Sequence, residues 1–114
     1  MFRDRTGREI DVLTWSERFS DLDYRIVRDD LVVPLRLHVR TVWEGIDDLV
    51  GAMFATGVQR LKNDGAWSGF VTFAETHSEH DAMHVHQRII AHLRSGAMPS
   101  VWSAPLWRLG SPGA

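Results

Sequence analysis

Residues 35–47 read Leu-Arg-Leu-His-Val-Arg-Thr-Val-Trp-Glu-Gly-Ile-Asp. Side chains of a strand point to opposite faces in turn, so Leu35, Leu37, Val39, Thr41 and Trp43 share one face and Arg36, His38, Arg40, Val42 and Glu44 the other. That is the pattern of an antiparallel strand with one face on a core and the other towards water. Its length places it centrally, with neighbours on both sides. Gly45 marks where it bends or ends, and Pro34, which has no N–H to donate, belongs at its entrance.

The flanking segments supply those neighbours. Residues 24–28 read as a strand, with Asp29-Asp30 turning the chain towards the central strand. Residues 52–60 place Phe54, Thr56 and Val58 on one face and Met53, Ala55 and Gly57 on the other. Lys62-Asn63-Asp64-Gly65 is a reversal signal, because Asn, Asp and Gly tolerate the left-handed conformations of tight turns. Residues 69–75 follow as a third run, with Phe70, Thr72 and Ala74 alternating against Val71, Phe73 and Glu75. Ser78 caps a long helix over 78–95, with Glu79 and Asp81 in its first turn and Arg94 in its last. At about 100° per residue, Ala82, Val85, His86, Ile89, Ile90 and Leu93 form one stripe, the face to be laid on the sheet.

At the N-terminus, residues 1–11 suggest a small hairpin turning at Arg5-Thr6-Gly7-Arg8 and closing over the core with Phe2 and Ile10. Thr14-Trp15-Ser16-Glu17 has the spacing of a capping box, so a short helix is expected over 15–20 with Trp15 and Phe19 inward. The expected fold is α+β: a three- to four-stranded antiparallel sheet, one long C-terminal helix on one face, and a short N-terminal helix. Residues 1–96 form a single domain. Residues 97–114 carry three prolines together with Trp102, Leu106, Trp107 and Leu109 but no period, and read as an arm.

Composition narrows the chemistry. With no cysteine in 114 residues, disulfides and thiol catalysis are excluded, and His, Asp and Glu are the side chains left to bind a metal. No apolar run reaches the roughly 20 residues of a membrane helix, and Met-Phe-Arg-Asp-Arg precedes no signal-peptide core, so a soluble cytoplasmic protein without membrane contact is expected. A formal net charge of −2 gives no global field for a polyanion, and nucleic acid is not an expected partner. Five tryptophans exceed what one small core ordinarily absorbs, which points to an interface for one or two of them.

Several segments carry a resemblance when taken together: Tyr24-Arg25 after the Trp15 helix, Thr41-Val42-Trp43-Glu44-Gly45-Ile46-Asp47, Phe54-Ala55-Thr56-Gly57-Val58, and Ala82-Met83-His84-Val85-His86 leading to Ala91-His92-Leu93-Arg94. Over roughly residues 15–95 the chain resembles a set of small proteins of actinobacteria and their phages. Those proteins share a Thr-Val-Trp-Leu-Gly-Leu-Asp-like strand, a Phe-Glu-Thr-Met-Val-like strand and a Glu-Ala-Leu-Ala-Gly-His-Glu-like helix. It departs at Asp47-Asp48, where the pattern has Asp-His, and at Ala55, where the pattern has Glu. The resemblance implies an accessory protein of a phage or mobile element and brings no catalytic activity with it.

Candidate sites are few. His80 and His84 stand at i and i+4, and His77 precedes the helix, giving three imidazoles of the kind Zn²⁺ or Ni²⁺ accepts, with Asp81 as a further ligand. The same trio lies opposite the apolar stripe and also reads as a solvated face. His86, inside the stripe, reads as a buried ring bonded to an acceptor on the sheet. Asp47 and Asp48 could join Glu75 in a cation cluster, or be a solvated turn. Arg36, His38 and Arg40, with Arg25, form a basic stripe suited to an acidic partner, or a row of solvated strand residues. There is no phosphate-binding glycine loop and no nucleophile elbow. The favoured reading is a non-catalytic interaction protein without a cofactor, contacting a protein partner or a second copy through Trp102, Leu106, Trp107, Leu109, Arg36, His38 and Arg40. The alternative is a small metal-dependent enzyme or metal-binding protein with zinc at His77, His80 and His84.

Overall fold

The computed structural model describes residues 1–48, 51–95 and 107–108. In chain order the elements are β1 (Phe2–Arg3), β2 (Glu9–Ile10), α1 (Val12–Phe19), α2 (Leu22–Arg25), β3 (Ile26–Val32), a 3-10 turn (Val33–Leu35), β4 (Leu37–Trp43), β5 (Phe54–Arg60), β6 (Val71–Thr76), α3 (Glu79–Arg94) and β7 (Trp107–Arg108). Strands β3, β4, β5 and β6 pair antiparallel in that order, and the backbone of β7 adds in parallel along β6. The long α3 packs on one face of this sheet and the short α1 stands at the N-terminal side: the fold is α+β.

The alternating run forms the central strand as its pattern requires. Leu37, Val39, Thr41 and Trp43 are buried, and β4 pairs in unbroken register with β5 from Leu37↔Arg60 to Trp43↔Phe54. Ser78 accepts the backbone N–H of Asp81 and starts α3, and all six stripe residues are buried. Val85, Ile89, Ile90 and Leu93 meet Val32, Leu37, Val39, Val58 and Phe73 in the main core. Burying side chains of this size contributes on the order of 1.5–3 kcal/mol each, an upper bound against a partly collapsed unfolded chain.

A second core closes one end of the sheet. Trp43, Met53, Phe54 and Ala82 are covered there by Ile10, Trp15, Phe19 and Tyr24. Both indoles at this end are satisfied, Trp43 fully buried and Trp15 partly so. Trp43 donates to the Arg3 carbonyl at 2.9 Å and Trp15 to the Glu44 carbonyl at 2.9 Å. Gly45 is required in this corner: its φ is +74°, and a Cβ would lie 2.3 Å from the Trp43 ring and 2.9 Å from the Arg3 carbonyl. The N-terminal hairpin turns at Gly7 and pairs Phe2 with Ile10, as its sequence suggests.

Several local expectations are corrected. Helix α1 starts earlier than the Thr14 box implies, because Asp11 is the cap and accepts the Thr14 N–H at 2.7 Å. Tyr24 belongs to α2, and Asp29-Asp30 lies inside β3. The reversal falls instead on the Val33–Leu35 turn, closed by Arg36 at φ +58°. In β6 the alternation breaks. Thr56 pairs with Ala74 but Gly57 with Thr72, so Phe73 is the extra residue of a bulge and both Phe73 and Ala74 are buried. Of the C-terminal arm, only the backbone of Trp107–Arg108 is described, and it pairs within the chain's own sheet, opposite Ala74 and Glu75. Trp102, Leu106 and Leu109 lie outside the described residues. Among the described residues, no helix is long and apolar enough to cross a membrane.

Candidate functional site: two aspartate–histidine pairs back to back

Neighbouring residues of a strand face opposite ways, so Asp29 and Asp30 of β3 address different sides of the sheet. Asp30 stands opposite Val39 and turns under α3; Asp29 stands opposite Arg40 and turns to the outer face. Each carboxylate takes a histidine.

On the inner side, His86 Nε2 is 2.8 Å from Asp30 Oδ2, and Nδ1 is 2.8 Å from Thr41 Oγ1, itself 2.6 Å from Thr56 Oγ1. One proton assignment satisfies every group: Thr56 donates to Thr41, Thr41 donates to Nδ1, and Nε2–H donates to the Asp30 carboxylate. Burial pushes the His86 pKa below its ordinary value, and the bond to Asp30 only partly opposes this, so the ring is neutral. Burial alone would raise the Asp30 pKa, but hydrogen bonds from His86 and Arg28 outweigh it and the net shift is downwards. Carboxylate, imidazole and hydroxyl thus stand in the order of a nucleophilic triad. Thr41, Thr56 and His86 are nevertheless sealed in the core with exposures of 0–1%, so no substrate atom reaches the hydroxyl. The network orders the interior.

The outer side is accessible. His38 Nε2 donates to Asp29, and Nδ1 accepts from the Gln59 side-chain amide at 2.7 Å. Arg40 grips the same Asp29 through two bonds of 3.1 and 3.2 Å. Burial would raise the Asp29 pKa, yet the bonds from Arg40 and His38 prevail and hold it below its ordinary value. The ionised pair Asp29–Arg40 therefore flanks the His38 ring. Around that imidazole stand Phe70 at 5.4 Å and Trp67 at 5.8 Å between ring centroids, with the Arg40 guanidinium 5.4 Å from the Phe70 ring. Phe70 comes this close to the sheet because Gly57 beneath it has no side chain: a Cβ there would stand 3.3 Å from Phe70. Leu31 lies directly across from His38 on the same face. His38 is only 9% exposed under this cover, whereas Trp67 and Phe70 are each 42% exposed and Leu31 57%.

The other candidates are distributed. Arg36 donates to the Lys62 carbonyl at 3.1 Å, and Arg25 donates to the Trp43 carbonyl while its guanidinium lies over Phe19. The expected basic stripe is therefore a set of internally engaged side chains, with His38 and Arg40 committed to Asp29. His77, His80 and His84 are exposed, the last two on the outer side of α3. Among the described residues, no group of three or more His, Asp or Glu side chains is arranged to hold a metal ion. Asp47 pairs with Arg3 at 2.6 Å and Asp48 accepts the Gly51 N–H, while Glu75 stands across from Ala55 on β5, and the three are not among any described group arranged to hold a metal ion. Sequence reasoning missed Asp29, Gln59, Trp67 and Phe70 as members of one site. Trp67 and Phe70 carried a signal, two large aromatics beside a turn, but nothing local tied them to His38.

Compared with protein-family models, with curated proteins and with solved structures, the chain has no significant match.

Proposed function

We propose that this is a non-catalytic interaction protein that docks a protein partner on the outer face of its sheet. The observation that supports the reading is the pair Trp67 and Phe70, held half-exposed on an ordered base of His38, Arg40, Asp29 and Gly57. Large aromatics and arginine, fixed before binding and ringed by satisfied polar groups, are the composition of interface anchors. Their ordering lowers the entropy lost on docking. The Asp29–Arg40 pair makes the patch close to neutral, which suits a protein surface better than a polyanion. Catalysis has less support, because both ring nitrogens of His38 and of His86 are already engaged.

In this proposal the protein acts in the cytoplasm as an accessory protein of a phage or mobile element, an origin that rests on the resemblance of residues 15–95. Trp102, Leu106, Trp107, Leu109, Arg36, His38 and Arg40 stay partner-binding residues in this reading, as expected from the sequence. The test is affinity capture from the source cell with three baits: the wild type, Trp67→Ala/Phe70→Ala, and His80→Ala/His84→Ala as a control on α3. A protein retained by the wild type and the control but lost with the aromatic double variant supports the proposal. Equal retention by all three baits, with equal circular dichroism, refutes it.

A further inference from the structure

We infer that Asp64 is a site of spontaneous isoaspartate formation, at which the main chain of the turn between β5 and β6 is rerouted through the Asp64 side chain in the folded protein. The reaction needs a carboxyl group held beside the next backbone nitrogen and little bulk around that nitrogen. Of all the aspartates in the chain, Asp64 alone precedes glycine. A Cβ built on Gly65 meets no atom of the described residues within 4 Å, and φ there is +84°, so the Gly65 nitrogen is reached without steric screening. Asp64 Oδ1 accepts the Ala66 N–H at 2.9 Å, which folds the carboxylate across the Asp64–Gly65 peptide towards that nitrogen. Residues 62–66 are all exposed, so water and protons reach the group. The Gly65 N–H donates to the Lys62 carbonyl at 3.0 Å, and that bond must open first; in an exposed turn such an opening costs little. Asp29 and Asp30, by contrast, lie in the β3 ladder with their carboxylates turned to His38, Arg40, His86 and Arg28.

The Gly65 nitrogen attacks Cγ of Asp64, and a succinimide ring closes as one carboxyl oxygen leaves as water, carrying the amide hydrogen and one proton from solvent. Water then adds to either imide carbonyl. Opening at Cγ restores aspartate. Opening at the main-chain carbonyl carbon breaks its bond to the Gly65 nitrogen, returns the solvent proton and leaves the chain running through Cβ and Cγ beside a free α-carboxylate. No oxidant, reductant or second substrate takes part, and the mass is unchanged. The turn gains one backbone carbon. It is a closely tied turn: the Lys62 N–H donates to the Ala66 carbonyl at 2.8 Å, Leu61 bridges to Trp67, and the Ser68 N–H donates to the Arg60 carbonyl at 2.9 Å. The added carbon takes the carboxylate away from the Ala66 N–H and loosens the hairpin end that seats Trp67 against His38. The site stands whether or not a partner docks on the outer face.

The full-length protein is incubated folded at pH 7 and 37 °C in water labelled with heavy oxygen, beside Asp64→Glu, whose longer side chain closes the ring poorly, and Gly65→Ala, whose methyl crowds the nitrogen. Proteolysis and electron-based fragmentation locate the isomer, because isoaspartate places a cleavable Cα–Cβ bond in the main chain. Circular dichroism checks the fold throughout. A wild-type sample unfolded in urea sets the time in which the free chain converts. The folded wild type should gain isoaspartate at residue 64 ahead of every other aspartate, each event carrying one labelled oxygen, and both variants should lose that gain. Isoaspartate that arises first at another aspartate, a Gly65→Ala time course equal to that of the wild type, or a folded wild type that stays unmodified while the unfolded chain converts overturns the inference. Should Gly65→Ala fail to fold, Asp64→Glu and the position of the label decide alone.

Discussion

Replacing His86 by Ala should damage the fold far more than replacing the exposed His84, and its cost can be worked from the contacts. The ring is fully buried, so deleting it leaves a cavity; truncations of large core side chains cost about 2–5 kcal/mol, and a compact imidazole falls near the lower end, about 2. A hydrogen bond to a charged group contributes about 1.5–3 kcal/mol. Asp30 is 28% exposed on its side chain and turns partly to water once the ring is gone, so only the lower part of that range applies, about 1 to 1.5. Thr41 keeps Thr56 as a partner and adds little. Alanine returns about 0.5 kcal/mol through its better helix propensity. The sum is about 3 kcal/mol, against at most about 0.5 for His84→Ala on the exposed side. Urea unfolding followed by circular dichroism reads the difference as a midpoint lowered by about 1–3 M for His86→Ala, at a slope of about 1–3 kcal/mol per molar. Midpoints of the two variants within about 0.3 M of each other would falsify the account of His86 as the inner anchor of α3.

Acid should weaken the fold in two stages. The lowered pKa of His86 means that the unfolded chain takes the proton first, so stability present above about pH 6.5 falls as the pH drops below it; the lowered pKa of Asp30 adds a further loss below about pH 4. Urea midpoints at pH 8 and pH 5 should separate for the wild type and converge for His86→Ala. Gly45→Ala should cost about 2–4 kcal/mol, since left-handed strain adds to a clash with the Trp43 ring, while Gly65→Ala, at φ +84° with open space around it, should cost only about 1; thermal melts of the two check this, and equal losses would count against the Trp43 corner. Calorimetric titration of zinc into chelator-treated protein should give a dissociation constant no tighter than about 100 µM, unchanged in His80→Ala/His84→Ala; tight binding abolished by that double variant would restore the metal-site reading. Truncation after Ser95 removes β7 from the β6 edge, so a lower melting temperature at unchanged mass by light scattering is expected; loss of a dimer mass would instead place the arm between subunits.

The elements legible in the sequence are those whose cause is local. Helix α3 announces itself through the Ser78 cap and a stripe repeating every turn, and the hydrophobic effect has one way to bury that stripe. Strand β4 shows its inward face by strict alternation, and the reversal at residues 62–65 rests on Gly65 at φ +84° and on the Asp64 carboxylate accepting the Ala66 N–H. Even the burial of His86 could be read, because a helix of known phase fixes which side every residue occupies. Tertiary structure decided the rest. Asp29-Asp30 has the local preference of a turn, and it becomes strand because Arg40 and His38 on one face and His86 on the other hydrogen-bond both carboxylates. The bulge at Phe73 and the seat of Phe70 over Gly57 depend on register between strands, which no single segment encodes. The outer patch joins residues from β3, β4, β5 and the segment before β6. Patterning within a strand states which side a residue faces, whereas pairing between strands chooses its neighbours, and the candidate site is made of neighbours.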